Sequence, residues 1–576
     1  NEYATLDVKD IKVIDPCMGS GHILVYAFDV LMQIYTQMGY TDKDAALSIL
    51  ENNLYGLDID KRAFQLAYFA VLMKARQYHK FILKKQPQCH IYAIAESNGI
   101  NMKHLAYFGA QLDELAKPVA LNQMQELIAT LHDAKEYGSI ISVAEYDWDL
   151  LHQFAAEFDI SGEMNLFDSF GIEATQQRLQ ELVAVGEVLA QKYEVVVTNP
   201  PYMGSSGMGA KLSAYVKQNY PDSKSDLFAV FIEKGNNMVC SNGYNCMVTM
   251  QSWMFLSSFE KMRKNILQTK VISNLMHMEN MVLGIAFGTA VSNFRNCMIK
   301  GYKGTYNQIK LSDIVNSEPV YFPVKENRFA QVSSDNFAKI PGAPVAYWVS
   351  EKLLCAFSYR PLKYFGESYQ GIITGDVNKF LKLWHEVRFN DITFDEKDYH
   401  KLEVSKTYYP YIKGGNFRKW LGNLDYVIYW YSNGNNLVRS RTENRPLFFR
   451  SGITWSLITS GSTSFRWFGK GFLCDVSGSS FFTHDSKLEL YVLGLLNSVV
   501  CTEILNIINP TINLNIKDIL LVPLVKEYID IIRMKVEKNI SLSKSDWDAF
   551  ETSWDFTKHP LVVTSGQLLV NSDSSA

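Results

Sequence analysis

The tetrapeptide Asn199-Pro200-Pro201-Tyr202 carries the most pointed chemistry in this sequence. The Asn199 side-chain oxygen and the Pro200 carbonyl, the latter aimed by a fixed φ, form two adjacent acceptors able to hold both hydrogens of one NH₂ group. Held in that way, the nitrogen is drawn away from planarity and its lone pair is freed to attack an electrophilic methyl. Tyr202 offers a ring on which a flat base can stack, worth about 1–3 kcal/mol. That would offset much of the few kcal/mol needed to take a base out of a duplex. A strand followed by a proline turn would account for one proline, but poorly for the whole run.

Two upstream constellations could hold a second reactant. In Asp15-Pro16-Cys17-Met18-Gly19-Ser20-Gly21 the glycines let the chain turn tightly between strand and helix and let a ligand approach the backbone, while the helix N-terminus supplies free N–H groups. Such turns are equally common as purely structural features. Asp58, at the end of the next strand, can accept both hydroxyls of a ribose, whereas Asp60 directly precedes a helix and suits a cap. No Gly-x-x-x-x-Gly-Lys-Ser/Thr occurs, which argues against a nucleoside triphosphate.

The elements that must position these residues are legible from periodicity. Strands are expected at 11–14 and 53–57, helices at 22–38 and 61–78, and a further strand at 90–95. Strand, turn, helix, strand, acid is the opening of a Rossmann-type unit. The three β-branched residues of Val195-Val-Val-Thr predict a buried parallel strand that the prolines stop. Too many residues separate Gly21 from Asn199 for simple alternation, so a helical insertion is expected at about 100–190, with apolar spacings at Leu121, Met124, Leu127, Ile128 and Leu131. Strands at about 244–250, 271–278 and 288–294 would complete the sheet. From Pro341-Gly-Ala-Pro344 the texture changes to short aromatic strands and Gly, Asn and Ser turns, so the expected division is 1–340, 345–530 and a C-terminal helix with a disordered tail at 531–576.

With 576 residues and 47% apolar side chains, the chain is globular and holds more than one core. Its eight cysteines show no Cys-x-x-Cys pair, which fits free thiols in a reducing cytoplasm and gives no metal site; Cys240 and Cys246 should pack beside a hairpin turn at Asn242-Gly243. The longest apolar run, Tyr491 to Ile508, is broken by Asn497, Ser498, Glu503 and Asn506, so no membrane span is expected. The chain starts at Asn1 without Met, within a dozen residues of a first strand, and an upstream part is expected to be missing.

Asp-Pro-x-x-Gly-Ser-Gly followed by Asn-Pro-Pro-Tyr resembles the motif pair of adenine-N6 DNA methyltransferases that use S-adenosylmethionine. Val195 to Gly204, Asp222 to Gly235, Lys413-Gly-Gly-Asn-Phe-Arg-Lys-Trp and Gly469-Lys-Gly-Phe are similar to the PglX methyltransferases of BREX phage-defence systems. The resemblance implies an α/β, Rossmann-like methyltransferase domain with a helical insertion, then a mixed α+β target-recognition domain. It places Asp15, Pro16, Gly19 and Gly21 around the methionine part of the cofactor, Asp58 on its ribose, and Asn199, Pro200, Pro201 and Tyr202 on the target adenine. It also implies double-stranded DNA as substrate and other defence proteins as partners. The polar residue that would hold the cofactor adenine is not evident; Ser139 is the candidate. Phe287 could close the other face of the target base, although core packing is the better reading.

The formal net charge of −4 is unevenly spread. Between Lys401 and Lys470 there are eleven Lys or Arg against three acids, a net of +8. Interleaved aromatics and polar turns make this a footprint for DNA, with Lys413, Asn416, Arg418, Lys419, Arg466 and Lys470 as candidate contacts. A solvated basic face is the alternative. Two rival functions stay open: a methyltransferase acting on a protein glutamine or RNA, and a DNA-binding specificity component without catalysis of its own.

Overall fold

The computed structural model describes residues 6–159, 171–316, 318–323, 328–394, 407–430, 437–439, 442–458, 462–509 and 513–562. The chain divides into two compact units, Asn1–Ala338 and Lys339–Ala576.

The first unit is built on a nine-stranded sheet. Its strands are β1 (Val13–Asp15), β2 (Leu54–Asp58), β3 (His90–Ala93), β4 (Tyr193–Thr198), β5 (Val239–Met250), β6 (Val271–Met278), β7 (Thr289–Arg295), β8 (Lys303–Ile309) and β9 (Arg328–Ser333). They lie in the order β9-β8-β6-β7-β5-β4-β1-β2-β3. From β3 to β5 every pair is parallel, while β7 runs antiparallel to both β5 and β6. The order doubles back at β1, between β2 and β4, which is where open α/β sheets leave a crevice outside the strand ends.

Helix α1 (His22–Gln37) follows β1, and α2 (Lys61–Tyr78) follows β2. Gly21 starts α1 at φ +85°, and a Cβ there would stand 2.9 Å from Ala67 Cα of α2, so only glycine permits this approach. The side chain of Asp60 accepts from Arg62 N–H and caps α2. The core between the helices and the sheet holds Leu24, Phe28, Leu31, Val71 and Ala75 against Leu54 and Ile91.

Between β3 and β4 the insertion contributes α3 (Ala116–Thr130), α4 (Trp148–Ala156) and α5 (Ile172–Ala190). Met124, Leu127, Ile128 and Leu131 are buried; residues 160–170 of the expected insertion lie outside the described residues. After β4 come α6 (Ala210–Asn219) and α7 (Leu227–Met238), and α8 (Glu260–Thr269) precedes β6.

Two expectations fail here. The sheet does not end with β7 but continues through β8 and β9. Nor is there a hairpin at Asn242-Gly243: β5 runs through both residues, with Asn242 at φ +66°. Asn296 holds this kink, its amide donating to the carbonyls of Val239 and Cys240 while its own carbonyl accepts from Asn242 N–H.

The second unit contains two four-stranded sheets. One has the order β10 (Gly366–Tyr369), β17 (Ser480–Thr483), β14 (Gly452–Trp455), β15 (Phe465–Phe468); the other β11 (Leu381–Leu383), β13 (Tyr426–Tyr429), β12 (Tyr408–Ile412), β16 (Leu473–Cys474). Against the first sheet pack α9 (Ser486–Leu496), α10 (Val499–Ile508) and α11 (Ile529–Trp547), joining Trp455, Phe465 and Phe481 to Leu488, Val492, Leu505 and Val536. The C-terminal helix is therefore part of this core, whereas the sequence suggested a separate segment. Gly494 allows the approach, since a Cβ there would meet Val536 and Ile532 at 3.0 and 3.1 Å. The expected tail beyond 562 lies outside the described residues. Among the described residues no single helix is long and apolar enough to cross a membrane, and the apolar run 491–508 folds as α9 and α10, bent by 78°.

Candidate active site

The carboxyl ends of β1, β2 and β4 open into one cavity of about 480 Å³. Pro16 and Cys17 follow β1, Asp58 and Ile59 stand at the end of β2, and Asn199 and Pro201 follow β4. Glu136, Tyr137, Gly138 and Ser139 of the insertion, Leu212 of α6, and Leu227 and Phe231 of α7 complete the wall. A cavity of this size suits a small cofactor, with apolar walls and a few polar groups to orient it.

Asp58 ties the floor together. One carboxylate oxygen accepts from Gly19 N–H at 2.9 Å and the other from Asp60 N–H at 2.8 Å, fixing the glycine turn to the end of β2. Each oxygen keeps a second lone pair, so the group can still accept a hydroxyl from the cavity. Asp15 is buried; one of its oxygens accepts from Cys17 N–H at 3.0 Å, and the other has only the nearby Thr198 hydroxyl, outside good hydrogen-bond geometry. Burial pushes its carboxyl up to about 7, a pull that Thr198 and the Cys17 N–H only partly offset and the nearby Asp58 reinforces. A buried carboxylate oxygen so weakly satisfied is costly until a better donor or a cation meets it. Asp58 on the cavity wall therefore fits a ribose, while Asp15 is buried beside the lining residues Pro16 and Cys17 and does not itself line the cavity. The neighbouring Cys17 thiol is held protonated, chiefly by its own burial.

Ser139, the candidate for the cofactor adenine, does line the cavity, but its hydroxyl donates to the Pro16 carbonyl at 2.6 Å. Only acceptor capacity is left to it. On the same turn stand Glu136 and Tyr137, which the sequence did not single out; no local pattern marks them, because the insertion brings them to the cavity from more than 70 residues beyond Asp58.

The Asn-Pro-Pro-Tyr run occupies the end of β4. Pro200 is buried, while Asn199 and Pro201 reach the cavity wall. The Tyr202 hydroxyl lies 3.1 Å from the Val248 carbonyl and 3.2 Å from Asn199 Oδ1, so its single hydrogen serves one of the two. Its ring stands edge-on to Phe228 and to Phe287, with centroids 6.0 and 5.7 Å away. Phe287 is half-buried and packs as a second aromatic beside Tyr202. Asp226 caps α7 and also accepts from Met203 N–H at 3.0 Å, and Leu227 N–H donates to the Met203 carbonyl, so the chain leaving Tyr202 is held from both sides.

Residues 52–282 match the Eco57I restriction-modification methylase family. Over 96% of its length the chain is 36% identical to the adenine-specific methyltransferase PglX of Lacticaseibacillus casei (strain Zhang), and over 98% it is 33% identical to the adenine-specific methyltransferase BrxX of Escherichia coli O9:H4 (strain HS). The chain is similar to both proteins along nearly its whole length. It spans about half the length of these two proteins, 47% and 48% respectively. The solved structure of the Type IIL restriction-modification enzyme MmeI in complex with DNA superposes with a TM-score of 0.50, covering 95% of this chain and 67% of that one at 11% identity. At that identity the likeness concerns the fold alone.

The candidate DNA contacts of the second unit have different surroundings. Asn416 and Lys470 are exposed. Lys413 is half-buried, its ammonium 5.0 Å from the Tyr426 ring. Arg418 pairs with Asp546 at 2.9 Å and lies over the Trp547 ring, and Lys419 donates to the Asn497 carbonyl at 3.0 Å, so both brace α9 and α11. Arg466 is a correction: it is 1% exposed, on β15 within the sheet, and burial lowers its guanidinium to about 10. It is not placed to meet a phosphate. Lys401, Glu403, Lys406, Arg441 and Ser460 of the basic segment lie outside the described residues. Among the described residues no three His, Cys, Asp or Glu cluster as a metal site.

Proposed function

We propose that the full-length protein is a site-specific, S-adenosylmethionine-dependent DNA methyltransferase acting on N6 of an adenine flipped out of duplex DNA, for self-marking in a cytoplasmic phage-defence or restriction–modification system. The observation that carries this reading is that Asn199 and Pro201 of the Asn-Pro-Pro-Tyr run share one cavity wall with Pro16, Cys17 and Asp58, while the adjoining Tyr202 has Phe287 5.7 Å away.

S-adenosylmethionine, when bound, supplies an electrophilic methyl. Asp15 would hold its ammonium through its weakly satisfied oxygen, Pro16, Gly19 and Gly21 would give the backbone room to approach, and Asp58 would take the ribose hydroxyls. Ile59 and Phe231 offer apolar surface to its adenine, and Glu136 and Ser139 offer acceptors to that ring's amine. On the substrate side Asn199 and the Pro200 carbonyl would hold the two amine hydrogens of the target base, while Pro201 and Tyr202 shape the pocket. Tyr202 and Phe287 supply aromatic surface for an extracted base, and the exposed Asn416 and Lys470, with Lys413, meet the duplex.

Sequencing that detects modified adenines, on DNA from cells with the full-length gene, its Asn199→Ala version or no gene, tests this directly. Modified adenines at one sequence motif are expected with the wild-type gene alone. None with the wild-type gene would overturn the reading, and modification persisting with Asn199→Ala would remove Asn199 from the chemistry. Titration calorimetry with S-adenosylmethionine separates an enzyme from a bare specificity component, which would give no heat.

A further inference from the structure

We infer that the turn between β6 and β7 carries an apolar wedge, Met281 and Leu283, that enters the duplex as the target adenine leaves it. This rests on the proposed action on DNA adenine and extends it to how the base is extracted.

The turn is firmly built. Glu279 N–H donates to the Ile309 carbonyl and Val282 N–H to Glu279, while Met281 and Ile285 are joined by a 2.8 Å backbone bond and Gly284 N–H returns to Met281 at 3.0 Å. Val282 is buried against Met278 and Ile309 and pins the turn from beneath. On either side of that anchor Met281 and Leu283 are 50% and 53% exposed. Met281 sits at φ +69°, a conformation that side chains other than glycine and asparagine seldom take without local support.

Single exposed apolar residues are ordinary. Here two of them flank a buried anchor on a turn that runs, four residues beyond Leu283, into Phe287, the ring edge-on to Tyr202. Residues 280–288 carry no charge, so the turn offers a phosphate no ionic contact. Uncharged, apolar and held in shape, its tip suits the inside of a base stack. Proteins that unstack DNA insert Leu, Met or similar side chains between base steps, and extracting a base leaves such a gap.

The test uses the full-length protein and its Met281→Ser/Leu283→Ser variant, on duplexes containing the modified motif. With 2-aminopurine in place of the target adenine, wild-type protein should raise the fluorescence on binding, and the variant should reduce that rise at least fivefold. Methylation of a matched duplex should fall at least tenfold, and should return to within about threefold of wild type when the target adenine lies opposite an abasic position, where little extraction work remains. Cofactor titration should be unchanged. Wild-type rates by the variant on matched duplex would overturn the wedge, as would equal losses on matched and abasic-paired duplexes, which would mark a structural role. If the wild-type protein methylates no duplex, the functional reading fails and the wedge with it; if it does and the variant matches it, only the wedge falls.

Discussion

In the proposed cofactor site Asp15 would couple proton to cofactor. Its carboxyl is raised from 3.8 to about 7, so the folded state prefers it neutral, and the stability it contributes is complete below about pH 4 and lost as pH rises through about 7. A cationic ammonium needs the ionised form. Binding of S-adenosylmethionine below pH 7 should therefore release a proton, and affinity should rise by up to about tenfold per pH unit between pH 5 and 7, then level off. Calorimetry in buffers of different ionisation enthalpy would count that proton. Asp15→Asn should bind more weakly and without this pH dependence; an unaltered slope would place the proton elsewhere. Tyr202 separates ring from hydroxyl in the same way. Tyr202→Phe keeps the ring and loses one hydrogen bond to Val248 or Asn199, about 1 kcal/mol, so single-turnover methylation should fall less than tenfold. Tyr202→Ala removes the stacking surface, about 1–3 kcal/mol, and should cost more. Equal losses in the two variants would mean that the hydroxyl, not the ring, is what matters.

At the level of elements, the two glycines of the β1–α1 turn should respond differently. A Cβ on Gly21 would press on the backbone of α2, so Gly21→Ala should shift the helices and lower the melting temperature markedly, by more than the about 1–2 kcal/mol that a left-handed residue alone costs. Gly19 has φ +54° but open space around it, so Gly19→Ala should cost only that backbone strain. Thermal denaturation without cofactor would rank them, and the reverse order would refute this packing. What the sequence revealed follows the same division between local and distant causes. Helix α2 at 61–78 and strand β6 at 271–278 fall where their periodicity put them, because their own side chains decide their faces. Asn199 to Tyr202 were legible because four consecutive residues at one strand end carry the chemistry. Strand β8, Lys303-Gly-Thr-Tyr-Asn-Gln-Ile, has no apolar alternation and is a strand because β6 and β9 pair with it. The kink in β5 depends on Asn296, more than 50 residues away, and Glu136 and Phe287 owe their places to the insertion and to the β6–β7 turn. None of these distant partners leaves a local mark.

For the molecule as a whole, the candidate cofactor residues lie in the first unit and the basic candidates in the second, each with its own core. Cofactor binding and duplex binding should therefore be separable by substitution. The basic segment is also less available than its +8 suggests, since Arg466 is interior and Arg418 and Lys419 are engaged in packing. Lys413 and Lys470 remain the better phosphate contacts. Each neutralised phosphate contributes about 0.9 to the slope of log affinity against log salt. Lys413→Ala/Lys470→Ala should thus flatten that slope by up to about 2, weaken all duplex sequences alike, and leave the cofactor titration untouched. Arg466→Ala should do the opposite: its interior guanidinium contributes no counterion release, so the slope should stay at the wild-type value while the melting temperature falls. Fluorescence anisotropy across a salt series, paired with thermal denaturation of each variant, reads both quantities. If Arg466→Ala flattened the slope without loss of stability, the guanidinium would have to reach a phosphate, and the buried position of Arg466 would be wrong.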